Sequence, residues 1–285
     1  MEATLHGEDT RRALAKLDGV DLTGPYTGLL SVAGRTADML LEADDTIRLA
    51  MPVSPLDGYT ALVANHHLPG NVRFAIHRRS SQLVADTQLD GRRHLKKTFS
   101  LIATGFGLAQ RSDGDHGKAD DAEKEVTPDR LQQAVDELKW EDQAVVQQDY
   151  GWELRVRIAG EVAPVRLESV SGSAGVRLHR VVSESLPDEG SIPAAAVGDL
   201  ALRLNGRLRQ VHLARAGEQL VCEARLHDGL LQGSWLSMTA QAVAVACRHA
   251  GLLVRVLAEH GEIAETYMGM FDSCVQETVL CGAAN

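Results

Sequence analysis

The stretch Gln219–Gly229 reads QLVCEARLHDG, and it repeats, with small changes, a phrase met 137 residues earlier: QLVADTQLDG, Gln82–Gly91. Gln82, Leu83, Val84, Leu89 and Gly91 correspond to Gln219, Leu220, Val221, Leu226 and Gly229, and Asp86 corresponds to Glu223. Just upstream, ALVANHHL (Ala61–Leu68) aligns with ALRLNGRL (Ala201–Leu208) at an offset of 140, and the extra Pro69–Asn71 accounts for the slip. Matched order with small slips in turns is the mark of an internal duplication.

Read as strands, the two phrases alternate. Leu83, Ala85 and Leu89 fall on one face, with Val84, Asp86 and Gln88 on the other; Leu220, Cys222, Ala224 and Leu226 oppose Val221, Glu223 and Arg225. Val84 and Val221 are thus matching β-branched residues on otherwise polar faces. They are the candidate partner-binding residues, on a face expected to touch either the other half or a guest polypeptide.

Working outward, each copy predicts the same series of elements. In the second copy, Thr127-Pro128-Asp129 is a helix start with a Thr N-cap and Pro at N1. WELRVRI, PVRLESV and GVRLHRVV then read as short strands. A helix over roughly Pro193–Asn205 follows, then QVHLAR and QLVCEARL, then a long helix from about Ser234 to Glu259. In the first copy, EDTRRALAKL opens with a helix, and GLLSV, DMLLEA and TIRLAMPV are strands. Ser54-Pro55-Leu56-Asp57 caps the next helix, VRFAIHR and QLVADTQL pair, and LKKTFSLIATGFGLA closes the copy. Strands joined by such short turns pair antiparallel. The expected fold class is α+β: two tandem α-βββ-α-ββ-α units, each a mostly antiparallel sheet packed by helices, arranged as a pseudo-dimer. The units span 1–110 and 127–285, joined by an acidic, aperiodic linker at 111–126.

The closing helices suggest how the units meet. TAQAVAVACRHAGLLVRVL is apolar nearly all round, so more than one of its faces needs cover. Ala242 and Ala246 lie one turn apart, as do Ala103 and Gly107 in the first copy. Small residues let helix backbones approach, so these two helices are expected to cross on the pseudo-twofold axis.

Composition narrows the function. The chain has 285 residues and a formal net charge of −10. Residues 1–110 carry 12 acidic and 12 basic side chains, 111–150 carry 12 and 5, and 151–285 carry 15 and 12. Such a field attracts no polyphosphate, which argues against nucleic acid. With no run of eighteen uncharged apolar residues, no membrane span is expected, and nothing at the N-terminus has the order of a secretory signal. The four cysteines, Cys222, Cys247, Cys274 and Cys281, lack CxxC spacing; scattered thiols suit a reducing cytoplasm, and Cys222 and Cys247 read as small apolar fillers.

Reactive constellations were sought. SGSAG (Ser171–Gly175) lacks the first glycine of a nucleophile elbow and sits between strands. DGDHGKADDAEKE starts like a calcium loop at Asp113 and Asp115, but Lys124 stands where the bidentate Glu belongs. His66-His67 are adjacent rather than i,i+4, and read as helix-end residues. Arg78-Arg79 and Arg92–Lys97 flank one strand without stacking aromatics. GFG at Gly105–Gly107 is not a nucleotide loop. No catalytic residue, metal ligand or cofactor is expected.

The element order, the helix motif ALxxxN (Ala61–Asn65 and Ala201–Asn205), the strand pair after it and the final helix together resemble the type III secretion chaperone-like fold, including the related YbjN-type domains, over nearly the whole chain and twice over. The resemblance implies a small, acidic, cytoplasmic, non-catalytic protein that holds a partner chain in extended form. The expectation is therefore a non-enzymatic, chaperone-like protein-binding module. The alternatives are a small-ligand sensor with a pocket between the halves, or an enzyme of unrecognised type.

Overall fold

A computed structural model describes residues 3–32, 34–42, 45–54, 56–68, 72–77, 81–90, 95–110, 126–138, 140, 144–149, 151–170 and 175–270. The N-terminal half runs α1 (Ala3–Leu14), β1 (Val20–Asp21), β2 (Thr27–Val32), β3 (Arg35–Leu41), β4 (Thr46–Pro52), α2 (Gly58–Asn65), β5 (Arg73–Ile76), β6 (Leu83–Asp90) and α3 (Leu95–Ala109). The C-terminal half repeats this order: α4 (Pro128–Asp136), β7 (Val145–Gln148), β8 (Gly151–Ile158), β9 (Glu161–Ser169), β10 (Gly175–Ser183), α5 (Ile192–Asn205), β11 (His212–Ala216), β12 (Gln219–His227) and α6 (Gly233–Glu259). A further helical segment covers 261–270.

Each half is one six-stranded antiparallel sheet, ordered β1-β2-β3-β4-β6-β5 and β7-β8-β9-β10-β12-β11. The α+β class and the doubled unit are as the sequence predicts, with one strand more per unit. The added strands, β1 and β7, lie at the outer edges, where two to four residues of pairing leave little periodicity to read. Of the linker expected at 111–126, positions 111–125 lie outside the described residues and Val126 is buried in the core. SGSAG up to Ala174, the acidic loop, Arg78-Arg79, Arg92-Arg93-His94 and Cys274 and Cys281 also lie outside the described residues.

Local chemistry fixes the inner helices. Asp57 is the residue of Ser54-Pro55-Leu56-Asp57 that caps α2: its Oδ1 accepts from the Tyr59 and Thr60 amides at 3.0 and 2.9 Å. Those bonds satisfy donors that the first helical turn leaves open. The N-caps of α4 and α5 are Thr127 and Ser191, each followed by Pro in the first turn. Helix α6 covers its own sheet, packing on β10, β12, β8 and β9, and α3 lies on β2 and β6. Cys222 and Cys247 are free, buried thiols between β12 and α6.

The halves do not meet as expected. Ala246 is buried and Ala242 half-buried in the core that α6 shares with its own sheet, and an added Cβ at Gly107 would find nothing within 4 Å. Ala103 likewise packs against buried core. The junction runs through α2 and α5 instead. Helix α2 packs more extensively on β11 of the other half than on its own β5, and α5 more on β5 than on β11. The connectivity explains this. Each of these helices leads into the strand at the inner edge of its sheet and so emerges facing the other half, while α3 and α6 are spent covering a sheet. The glycines that allow close approach are Gly58 and Gly198: a Cβ on Gly58 would sit 3.0 Å from the Gly198 Cα, and one on Gly198 would sit 3.2 Å from the Gly58 Cα. One buried apolar cluster therefore runs through both halves.

Candidate functional site

Two features stand out: the polar junction between the halves and an open trough on the first sheet. At the junction, Asn65 ends α2 and Asn205 ends α5, both fully buried. The Asn65 amide donates to the carbonyls of Phe74 on β5 and Leu213 on β11, at 3.2 Å each. The Asn205 amide donates to the same two carbonyls at 3.3 and 3.0 Å. In return the Phe74 and Leu213 N–H groups donate to Asn65 Oδ1 and Asn205 Oδ1. The free inner edges of both sheets are thereby closed by two asparagines, which satisfies backbone groups that would otherwise invite another strand.

Beside this bridge, each sheet presents a buried carboxylate to the helix end of the other half. In the N-terminal half the carboxylate is Asp86, held by Arg73 (3.3 Å) and Arg48 (3.2 Å). Arg73 also donates to the carbonyls of Leu208 and Val211, and Arg48 to that of Gly206. Burial lowers the pKa of Arg73, and the adjacent Asp86 works against that shift. Gly206 abuts β5 so closely that a Cβ there would lie 2.5 Å from the Ile76 carbonyl.

In the C-terminal half the carboxylate is Glu223. His212 Nε2 lies 3.2 Å from its Oε1, and His66 Nδ1 lies 2.8 Å from its Oε2. Arg177 Nη1 lies 2.6 Å from His66 Nε2, and Arg225 donates to the carbonyls of His66 and His67. Burial alone would raise the Glu223 pKa, but hydrogen bonds from His212 and His66 outweigh it and hold the carboxyl well below the usual range. Burial pushes His212 down despite Glu223 beside it, and likewise lowers His67 and His179. Tyr59 completes the junction: its hydroxyl donates to the Pro187 carbonyl at 3.2 Å, and its phenol is pushed up to about 12, chiefly by burial.

Val84 and Val221 share strand faces with Asp86 and Glu223. They are 5% and 3% exposed, so neither offers a surface to a guest polypeptide. The face expected to touch either the other half or a guest polypeptide is buried in both halves at β6 and β12, where the other half lies against it. Ala103, Gly107, Ala242 and Ala246 do not join the junction either. Of the residues that do, Asp86 and Glu223 carry a legible signal as acids at the same position of the repeated phrase, and Asn65 and Asn205 as asparagines at the same helix end; Arg73 and His212 carry none. His66 does sit at a helix terminus, as the sequence suggests, but its ring turns onto a carboxylate of the other half.

The trough lies on the same face of the first sheet, farther out. It has a volume of about 490 Å³ and is lined by Leu29, Met39, Leu40 and Ala50, with Thr23, Thr27, Asp38, Arg48 and His77 around them. Leu40 is 44% exposed there. Strand register places Glu153, Glu168, Arg166 and His179 of the second sheet at the positions of Leu29, Leu40, Asp38 and Ala50. In the second sheet Glu168 pairs with Arg177 and lies 3.6 Å from His179. The duplication thus left one face laced by ion pairs and its counterpart an open apolar hollow.

A second groove of about 440 Å³ runs between α6 and Val182–Pro187 within the C-terminal half. By length and composition α6 would pass as a membrane span, although its sequence is interrupted by Arg248 and Arg255; 44% of its most apolar window is buried inside the protein. Among the described residues no group of three or more His, Cys, Asp or Glu is arranged to hold a metal ion. Comparison with protein-family models gave no match, and comparison with curated proteins gave none.

Proposed function

We propose that this chain is a non-enzymatic, chaperone-like module that holds a partner polypeptide on its covalent pseudo-dimer, with the trough of the first sheet as the seat. The observation that carries this reading is the apolar floor of the trough, exposed Leu40 beside half-buried Leu29 and Ala50, set against a charged counterpart in the other half. Apolar side chains of a partner would gain burial there at about 25 cal/mol per Å². Strand addition at the inner edges would compete with Asn65 and Asn205, so recognition relies on the sheet face rather than on those edges. Peptide-array screening followed by fluorescence anisotropy tests the reading: Leu40→Asp weakens binding of the selected peptides at least tenfold while leaving the melting temperature unchanged. Peptides that bind Leu40→Asp as tightly as the parent would refute it.

A small-ligand sensor is the second reading, favoured by a trough volume within the range of about 300–1,000 Å³ that small-molecule sites occupy. It places the ligand in the N-terminal half rather than between the halves.

A further inference from the structure

The two clasps that join the halves are built alike but differ in one residue type. Arg73, Asp86 and Arg48 hold the end of α5, and none of the three is a histidine. At the equivalent positions around the end of α2 stand His212, Glu223 and Arg177, and α2 itself contributes His66. We infer that the junction is a one-sided acid-sensitive clasp: protonation of His212 releases the end of α2 from the second sheet while the arginine clasp on α5 stays closed.

The geometry of His212 carries the argument. Its Nε2 lies 3.2 Å from a Glu223 oxygen and 3.3 Å from the Asn65 carbonyl, so that nitrogen bears the hydrogen of the neutral ring. A second proton must go to Nδ1, which is buried and has no hydrogen-bond partner among the described residues. A charged N–H without an acceptor in a dry site is strongly disfavoured. His66 lies on the other oxygen of the same carboxylate, with Nδ1 2.8 Å from Glu223 Oε2 and Arg177 Nη1 2.6 Å from its Nε2. The other charged and titratable groups around the cluster are Arg225 from β12, His179 from β10, Glu168 from β9, His67 after α2 and Arg73 from β5. Among the described residues, Glu223 is the single carboxylate in contact with both rings.

The direction follows from linkage. Burial lowers the His212 pKa from the ordinary histidine value of about 6.5, so the closed clasp keeps the ring neutral while the open form binds a proton. The stability that neutral His212 contributes is complete above pH 6.5 and is lost as pH falls below it. With His212 neutral when closed and freely titrating when open, the opening equilibrium shifts about 30-fold between neutral pH and pH 5.

Hydrogen–deuterium exchange of the full chain at pH 7.5 and 5.0, corrected for intrinsic rates, tests this directly. The α2 end (Leu62–Leu68) should lose at least tenfold protection on acidification, and the equivalent α5 end (Leu202–Leu208) less than threefold. Equal loss at both ends, or loss at neither, overturns the inference. His212→Asn keeps a donor toward Glu223 but cannot titrate. If this variant matches the parent's protection at pH 7.5, its α2 end should lose less than threefold at pH 5, and an undiminished acid response in it would also overturn the inference. The parent measurement decides the question even if the variant does not fold.

Discussion

The asparagine bridge can be tested through its own non-additivity. Asn65→Ala removes the acceptor of the Phe74 N–H, yet both bridged carbonyls keep a donor from Asn205. A buried donor left unpaired costs about 1–3 kcal/mol, so each single variant should lose about 2 kcal/mol. In Asn65→Ala/Asn205→Ala the Phe74 and Leu213 carbonyls lose their asparagine donors as well as their N–H acceptors. Two further orphaned acceptors at about 1 kcal/mol each bring the double variant to about 6 kcal/mol, a coupling of about 2 kcal/mol. Urea denaturation followed by far-ultraviolet circular dichroism, run as a double-mutant cycle, measures this. Single-variant losses that add to the double-variant loss within about 0.5 kcal/mol would show that the two side chains do not share carbonyls, and the account of how the sheet edges are closed would fall.

Two other outcomes follow from the same junction. Gly58→Val should destabilise the chain by at least about 3 kcal/mol, because even the first carbon would press on the Gly198 backbone, where no side chain can swing away; a melting temperature within 2 °C of the parent would place the helix crossing elsewhere. Cleavage at a protease site engineered into 111–126 should leave the two fragments co-eluting on size exclusion at neutral pH, since α2 and α5 each pack across the junction; fragments that separate freely would contradict the shared core.

The doubling and the element order were legible in the sequence because they rest on short-range signals. Alternation in WELRVRI and the Thr127-Pro128 start of α4 are decided by neighbours a few residues apart. The same signals separate Leu220, Cys222 and Ala224 from Val221 and Glu223, and the structure keeps that separation of faces. What it changes is the solvation. Both faces of β12 are buried, so the side marked by Val221 and Glu223 is interior.

No local pattern distinguishes a polar strand face that meets water from one that meets the other half of the same chain. That choice belongs to contacts spanning about 140 residues: Asn65 with Leu213, Arg73 with Leu208, Gly58 with Gly198. Small residues in α3 and α6 and small residues in α2 and α5 look equally fit to bring backbones together. The sequence alone therefore determined that there are two like units and which residues share a face. Only the tertiary structure decided that α2 and α5 form the seam, because the strand each helix feeds lies at the inner edge of its sheet, and that position follows from how six strands are ordered in space.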